Sequence, residues 1–462
     1  MVRVAVIDDG VSTDVYPFLT HLSDSIEITA AGSIKIPPTN GRTHGTLCAA
    51  IIKLYAPETE IVSVKVLDSE TGMGKVWKIR KALEWCLENQ IAVINLSAGS
   101  FSFQEKECLR EVFSKLEEKG IPLICAWPNN ERFSIYTDFT WTVSVEREKT
   151  LCENQYKSRN GHFLQADFYA SSIHSFPLFD ESSETIVSQN SHAAPVITAM
   201  VAHNIYAEGF SSLEKIYRSL TPFQERRFHI KPVPDFINKT IVLGKIAYPE
   251  KYCTFQKNPK SLRKMLDSET PFSLSVFPPY TKSSEELAKC IYENQEHLRG
   301  VLYAGVAPEV IKQAAWNVGC LFWDESEYRS ELDKVPCGLI PSSTVIVIIN
   351  GERESAISLS KQLQNEFIRE GYRSMIFSNW PQSYCLGMYF LPNADLIKED
   401  IGRYINVYRP DIIWLCGDFY DIQSDMQILC CNKRFVLKYE NQKDSYTLEE
   451  ELVSYIKRLL FS

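Results

Sequence analysis

Three side chains in this sequence have the types and settings from which a nucleophilic reaction can be assembled: Asp8, His44 and Ser191. Asp8 ends the apolar run Val4-Ala5-Val6-Ile7, so a carboxylate stands where a strand leaves a sheet, and Gly10 permits a sharp exit. His44 lies in Thr43-His44-Gly45-Thr46, just ahead of an apolar helical stretch over residues 47–55. Ser191 lies in Asn190-Ser191-His192-Ala193-Ala194-Pro195, which opens another apolar helix over residues 196–205. Taken singly, each has an ordinary explanation: a turn acid, a surface histidine at a helix start, a serine N-cap. Taken together, they supply an alcohol, a base to accept its proton, and a carboxylate to hold the base.

Those residues need a frame that brings strand ends and helix starts to one edge. Up to about residue 207 the chain alternates short β-rich runs with amphipathic helical stretches, the pattern of a parallel sheet covered by helices. Strands are expected over residues 2–8, 60–68, 92–99 and 121–128. A helix is expected over 75–90, where Trp77, Ile79, Leu83, Trp85 and Cys86 recur at roughly helical spacing. Right-handed crossovers then place the carboxyl ends of the strands on one edge, where open α/β sheets assemble their sites.

With the order Asp, His, Ser, the sequence resembles the subtilases, the subtilisin-like serine peptidases of family S8. Ile7-Asp8-Asp9-Gly10 resembles their Asp-Thr/Ser-Gly block, Thr43-His44-Gly45-Thr46 their His-Gly-Thr block, and Asn190 to Pro195 their Thr-Ser-Met-Ala-x-Pro block. A fourth stretch, ending in Val93-Ile94-Asn95-Leu96-Ser97-Ala98-Gly99, looks like the helix and strand that carry the family's Ser-Leu-Gly. The resemblance implies that His44 takes the Ser191 proton while Asp8 fixes the imidazole. It also implies that Ser97, Ala98 and Gly99 pair with the substrate backbone by strand addition. A gapless alignment of residues 120–129 with the family's glycine-to-asparagine run makes Asn129 the side-chain donor of an oxyanion hole. Asn130 is the alternative if the loop shifts by one.

Departures from the family pattern surround the nucleophile. Gln189 replaces a glycine two residues before it, and His192 replaces the methionine after it. Trp127 and Pro128 stand where small residues border the pocket for the residue preceding the scissile bond, so a narrowed pocket taking Gly, Ala or Ser is expected. Asp9 replaces Thr or Ser and adds negative charge near the cleft.

The remaining bulk properties set bounds. A length of 462 residues leads to an expectation of a peptidase domain over residues 1–210, a linker over 211–234 and a second α/β domain over 235–462, either whole or as two subdomains split near 340. Net charge is −9 with the signs interspersed, which gives no basic stripe for nucleic acid or for an anionic membrane. Thirteen scattered cysteines show no metal-ligand spacing, and their odd count fits a reducing compartment. The early strand leaves no secretory signal and no room for a prodomain, and no apolar run reaches membrane-spanning length, so a cytoplasmic protein is expected. No cofactor is expected, and nothing points to a structural Ca²⁺.

In the second half, a strand over residues 344–350 leads through Gly351 and Glu352 towards an apolar helix, the outline of a degenerate P-loop or Rossmann-like unit. One glycine and no lysine in that loop do not make a working phosphate cradle. The region faintly resembles clostridial peptide-maturation proteins. That resemblance implies leader removal from a ribosomally made precursor peptide, with the second domain binding that peptide, another maturation protein, or a second copy of the chain. The rival reading is a catalytically impaired peptide-binding or scaffold protein in which the altered Gln189–His192 loop has disabled the oxyanion hole.

Overall fold

The computed structural model describes the chain except for residues 130–133, 159–165, 188, 210–212, 221–233, 236, 238–239, 245–271, 281, 393, 420–421, 432–433, 441 and 462. The chain divides into two compact units. The first comprises Met1–Phe101, Glu105–His229 and Trp316–Leu321, and the second Ser102–Gln104, Ile230–Ala315 and Phe322–Ser462.

The first unit is built on a nine-stranded sheet. Its strands are β1 (Val2–Asp8), β2 (Asp24–Thr29), β3 (Gly32–Lys35), β4 (Thr59–Lys65), β5 (Val93–Leu96), β6 (Leu123–Ala126), β7 (Thr142–Arg147), β8 (Tyr156–Ser158) and β9 (Phe168–Ala170). Their order is β3-β2-β4-β1-β5-β6-β7-β9-β8, with antiparallel pairing at the β2–β3 and β8–β9 edges and parallel pairing between. Because β1 lies between β4 and β5, the sheet is wound outward from β1 in both directions. Asp8, its last residue, therefore sits at the topological switch point where such sheets open a crevice. Val4, Ala5, Val6 and Ile7 are all fully buried, as expected of a strand covered on both faces.

The helices that cover it are α1 (His44–Tyr55), α2 (Val76–Glu88), α3 (Phe103–Lys119), α4 (Ala194–Glu208) and α5 (Leu213–Leu220). α1 and α4 pack on one another and on β1. α4 buries Val196, Ile197, Ala199, Val201 and Ala202, which makes it a core helix, and Pro195 in its first turn starts it without losing a hydrogen bond. A separate hairpin, β10 (Ile173–Pro177) with β11 (Ser183–Val187), completes the unit.

Two expectations from sequence are corrected here. α1 begins at His44, three residues before the apolar run, because Thr43 caps it: the Thr43 Oγ1 accepts from the Thr46 N–H at 3.1 Å. Part of the stretch expected to be a linker is α5, where Ile216, Tyr217 and Leu220 are buried and Tyr217 stacks on Phe168 at 5.4 Å. The apolar residues sit at helical spacing among charges, so the polar average over that stretch concealed an amphipathic helix. The later part of the expected linker, 221–233, lies outside the described residues.

The second unit is also α/β. One sheet has the order β12 (Thr240–Leu243), β13 (Phe272–Val276), β14 (Leu298–Tyr303), β15 (Leu321–Asp324), accompanied by α6 (Ser284–Glu293), α7 (Glu309–Val318) and α8 (Glu325–Leu332). A seven-stranded sheet follows, made of β16 (Val345–Gly351), β17 (Ser374–Ser378), β18 (Tyr389–Phe390), β19 (Ile412–Cys416), β20 (Met426–Cys431), β21 (Arg434–Tyr439) and β22 (Gln442–Tyr446). Its order is β18-β17-β19-β16-β20-β21-β22, with α9 (Arg353–Arg369), α10 (Ile397–Tyr408) and α11 (Glu449–Phe461) alongside. Between β16 and α9 stands only Glu352. Gly351 has φ of +100°, and a Cβ there would lie 2.1 Å from the Cys430 carbonyl oxygen of β20. The glycine is there because β20 passes against it, and one intervening residue cannot wrap a phosphate. Among the described residues, no helix is long and apolar enough to cross a membrane.

Candidate active site

Asp8 and His44 are brought together by the first two elements of the site. The Nδ1 of His44 lies 2.9 Å and 3.0 Å from the two carboxylate oxygens of Asp8. Asp8 is 1% exposed, whereas the His44 side chain keeps 35% of its surface, so the imidazole presents its other edge to solvent while its base is anchored inside. Two glycines permit this approach. Gly10 has φ of +107°, which lets the chain turn away directly after β1. A Cβ on Gly45 would meet the Gly10 carbonyl oxygen at 2.5 Å and the Asp8 Cβ at 3.0 Å, so no larger residue fits beside His44.

Asp9 turns inward rather than into the cleft, where the reading from sequence places it. It is 6% exposed, and its two oxygens accept from the His44 N–H at 3.2 Å and the Gly45 N–H at 2.8 Å. It thus satisfies donors at the N-terminus of α1 and ties that helix to the end of β1. Burial first, and the neighbouring Asp8 charge second, pull its carboxyl pKa upward, against the two amides that favour the ionised form. Acid-plus-glycine after a strand reads as a turn in any sequence, so nothing local distinguished a clamp from a surface charge.

Ser191 lies in a 3₁₀ turn, Asn190–His192, one step before α4 rather than at the first turn of the helix itself. Its carbonyl oxygen accepts from the Ser97 Oγ at 3.0 Å, and Asn95 Nδ2 donates to the same Ser97 oxygen at 3.0 Å. Asn95 is held in turn by Thr198 of α4 at 2.9 Å. Ser97 therefore supports the Ser191 turn, a role the sequence did not signal. Ser97 and Ala98 are half-buried and Gly99 is exposed, and all three continue the chain past the end of the β5 ladder.

Cys48, one turn into α1, sits under this group and touches both halves of it. Its Sγ is 4.0 Å from the His44 Nδ1 and 3.6 Å from the Ser191 carbonyl oxygen. The ring of His192 stacks on that of His44 with centroids 5.2 Å apart. The His44 pKa is raised, first by charge on Cys48 and then by the hydrogen bond and charge of Asp8, with burial opposing. Burial drives the Cys48 thiol upward, so near neutrality that sulfur is uncharged and Asp8 supplies the upward pull that remains.

The oxyanion side is tied together by Asn190. Its N–H donates to Asn129 Oδ1 at 2.9 Å, its Nδ2 donates to the Pro128 carbonyl at 3.1 Å, and its Oδ1 accepts from the Arg147 N–H at 2.9 Å. A main-chain N–H can only donate, so it fixes which way the Asn129 amide faces. The Nδ2 of Asn129 then donates to Gln189 Oε1 at 2.8 Å. Gln189, where the family has glycine, thus occupies the donor proposed for the oxyanion. Trp127 and Pro128 are half-buried on the same loop, and Trp127 is fixed by its N–H donating to the Val145 carbonyl at 2.7 Å. Asn130, the alternative donor, lies outside the described residues.

A buried relay holds the Ser191 turn. Tyr55 OH and the His174 Nδ1 are 2.9 Å apart, and the His174 Nε2 lies 3.0 Å from the His192 carbonyl oxygen. A carbonyl only accepts, so His174 is the Nε2–H tautomer and Tyr55 donates to its other nitrogen. Burial lowers the pKa of His174 to about 4, and burial together with the charge of His44 lowers that of His192 to about 3.

Both folded values lie below the ordinary histidine value of about 6.5, so as pH falls the unfolded chain takes up protons first. His174 and His192 should make their full contribution to stability above about pH 6.5 and lose about 1.4 kcal/mol per pH unit each down towards pH 4. In denaturant titrations across that window, His174→Gln, which keeps a donor for the His192 carbonyl, should show roughly half the wild-type loss. An identical loss in the two chains would show that His174 is not a neutral buried group.

Among the described residues, the one group of three side chains suited to a metal is His44, Cys48 and His192.

A doubly anchored imidazole at a sheet switch point, a serine turn stapled beneath it and an asparagine loop beside it define a subtilisin-like α/β unit. Residues 1–221, just under half of the chain, match the model of the Subtilase family, Peptidase_S8. The chain is 26% identical over 210 residues to M-protease of Shouchella clausii (strain KSM-K16), over 44% of this chain and 53% of that protein. It is 31% identical over 137 residues to subtilisin of Bacillus pumilus, over 28% of this chain and 47% of that one. The chain thus spans about half the length of these curated relatives. Among solved structures, the prenylagaramide maturation protease PagA aligns over 45% of this chain and 76% of its own, at 19% identity and a TM-score of 0.35.

Proposed function

We propose that this chain is a serine endopeptidase in which Ser191 attacks the peptide carbonyl, His44 accepts its proton and Asp8 holds the imidazole. The observation that carries the proposal is the Asp8–His44 pair at 2.9 Å, packed through Cys48 and His192 against the Ser191 turn. In this reading the uncharged Nε2 of His44 is the base, and its Nδ1–H faces the carboxylate. The imidazolium formed on attack is stabilised by Asp8, whose buried carboxylate lies 2.9 Å from the ring. His44 then returns the proton to the leaving amine. Asn129 Nδ2 donates to the developing oxyanion. Ser97, Ala98 and Gly99 offer an edge to the substrate backbone, and Trp127 with Pro128 narrows the pocket before the scissile bond to Gly, Ala or Ser.

The substrate class we propose is a precursor peptide, with the cleavage removing its leader in the cytoplasm. Two features support this. The Gln189–Asn129 contact, which a substrate has to displace, favours a tightly held peptide, as a processing enzyme requires. The described cysteines are all free thiols, which fits a reducing compartment. The second unit is proposed to bind the peptide, another maturation protein or a second copy of the chain.

A second reading has one bond in its favour: with Gln189 Oε1 on Asn129 Nδ2, the site as it stands has its oxyanion donor covered. A non-catalytic peptide-binding protein would keep that bond closed. A fluorophosphonate reagent decides between the two, because it needs an activated serine and an open oxyanion hole. The peptidase reading expects one covalent adduct per chain, on Ser191 and absent after heat denaturation. A folded chain that stays unlabelled would leave the binding reading standing.

A further inference from the structure

Cys48 and His192 have no part in the reaction just proposed, yet they close around its base. Both are buried, His192 at 5% exposure and Cys48 at 0%. Among the described residues neither ring nitrogen of His192 has a hydrogen-bond partner, although the ring is an aromatic base with one donor and one acceptor to satisfy. Its ring lies over His44, and the contacts of the Cys48 Sγ, at 3.6–4.0 Å, are those of a thiol sharing several weak neighbours. One ligand atom from each of His44, Cys48 and His192 lies within 4.8 Å of the other two. Bond lengths of roughly 2.0–2.3 Å to nitrogen and sulfur place ligand atoms about 3.3–3.9 Å apart around a tetrahedral ion, so the three groups need to close by only about 1 Å.

We propose that His44, Cys48 and His192 form a binding site for a borderline-soft divalent cation of the Zn²⁺ class, and that an ion held there switches the peptidase off. The ligand set is the argument for the class: two imidazoles and a thiolate suit Zn²⁺ and exclude the oxygen-seeking Ca²⁺ and Mg²⁺. Coordination satisfies a ring nitrogen of His192 that has no partner among the described residues. The Cys48 thiol loses its proton to solvent as the sulfur binds, so binding weakens as pH falls. The ion enters from the cleft, since His44 is the ligand with an exposed edge. Once an ion binds to it, His44 can no longer both face Asp8 and take the proton of Ser191. Free divalent metal in the cell would therefore govern activity with no separate regulatory domain. The inhibitory half of this proposal rests on the peptidase reading; the binding half does not.

The test uses the full chain, reduced and stripped of metal with a chelator, and Co²⁺ as the spectroscopic probe for Zn²⁺. One Co²⁺ per chain should give a sulfur-to-cobalt charge-transfer band, displaced by Zn²⁺. Cys48→Ser should abolish the band. His192→Ala should weaken Co²⁺ binding by at least roughly 10–100-fold, the loss seen when even a ligand's supporting partner is removed. In a peptide-cleavage assay, Zn²⁺ should inhibit the wild-type chain, while Cys48→Ser cleaves and resists. Equal Co²⁺ spectra and Zn²⁺ affinities in wild type, Cys48→Ser and His192→Ala would overturn the site. A Cys48-dependent band in a chain that never cleaves peptide would leave the site in place and remove the peptidase reading. A cleaving chain without that band would do the reverse.

Discussion

A chain carrying Ser191→Ala should bind its peptide as tightly as the wild type and cleave it roughly 10⁶-fold more slowly, measured as kcat on a fluorogenic peptide that the wild type turns over. The expectation follows from how the turn is built. Ser191 is 8% exposed, and its fold-holding contact is the carbonyl that accepts from Ser97, which alanine keeps. The substitution therefore removes the hydroxyl and little else. Without it there is no nucleophile for His44 to activate, and what survives is positioning of the peptide next to oxyanion donors. His44→Ala should cost about as much, and the double variant no more than either, because the two groups act as one unit. Asp8→Asn should cost less, roughly 10⁴-fold, by presenting His44 with the wrong hydrogen-bonding group rather than deleting the base. A Ser191→Ala chain with wild-type turnover would place the chemistry elsewhere.

The second large effect concerns Asn129. Asn129→Ala should lower kcat about 10²–10³-fold with KM little changed, since an oxyanion donor acts on charge that appears only in the transition state. Gln189 makes this prediction sharper. Its Oε1 sits 2.8 Å from the Asn129 amide nitrogen, where a substrate oxyanion would be received, so every productive encounter must displace it. A net hydrogen bond of about 0.5–1.5 kcal/mol corresponds to a factor of roughly 2–10 in kcat/KM. Gln189→Gly should raise kcat/KM by that factor in the wild-type background and by nothing in Asn129→Ala, because the contact to be released is then already gone. An increase that persists in Asn129→Ala would mean that Gln189 acts on access to the cleft and not on the donor. A fall in activity on Gln189→Gly would show that the glutamine helps to position the loop.

Much of the first unit could be read from the chain alone, and the reason is local. The apolar run over residues 2–8 coincides with β1, the helix expected over 75–90 contains α2, and the turn residues that end each element are written beside it. Asp8, His44 and Ser191 stand out because each sits in a short block of fixed spacing. Boundaries were less legible wherever a side chain from outside the apolar run decided them. α1 starts at His44 because of Thr43, and α5 was hidden inside a polar stretch until Tyr217 could be seen stacked on Phe168. In the second unit the strand-then-helix outline at Gly351 was plain, but its meaning lay in β20, whose backbone approaches that glycine from 79 residues further along, at Cys430.

The sequence by itself determined the candidate trio Asp8, His44 and Ser191 and the class of frame that carries it, since periodicity and short motifs depend only on near neighbours along the chain. Only the tertiary structure decided what surrounds that trio. Asp9 turned inward to hold α1, Ser97 bonded the Ser191 carbonyl, and Asn190 bridged Pro128, Asn129 and Arg147. Gln189 closed on Asn129, and His192 stacked over His44 beside a buried Cys48. Each of these is a contact between residues separated along the chain by 35 positions or more, or depends on burial created by such contacts. No pattern in a linear sequence shows which polar side chains will lose water together and must answer one another, and in this protein that is what shapes the site around its three reactive groups.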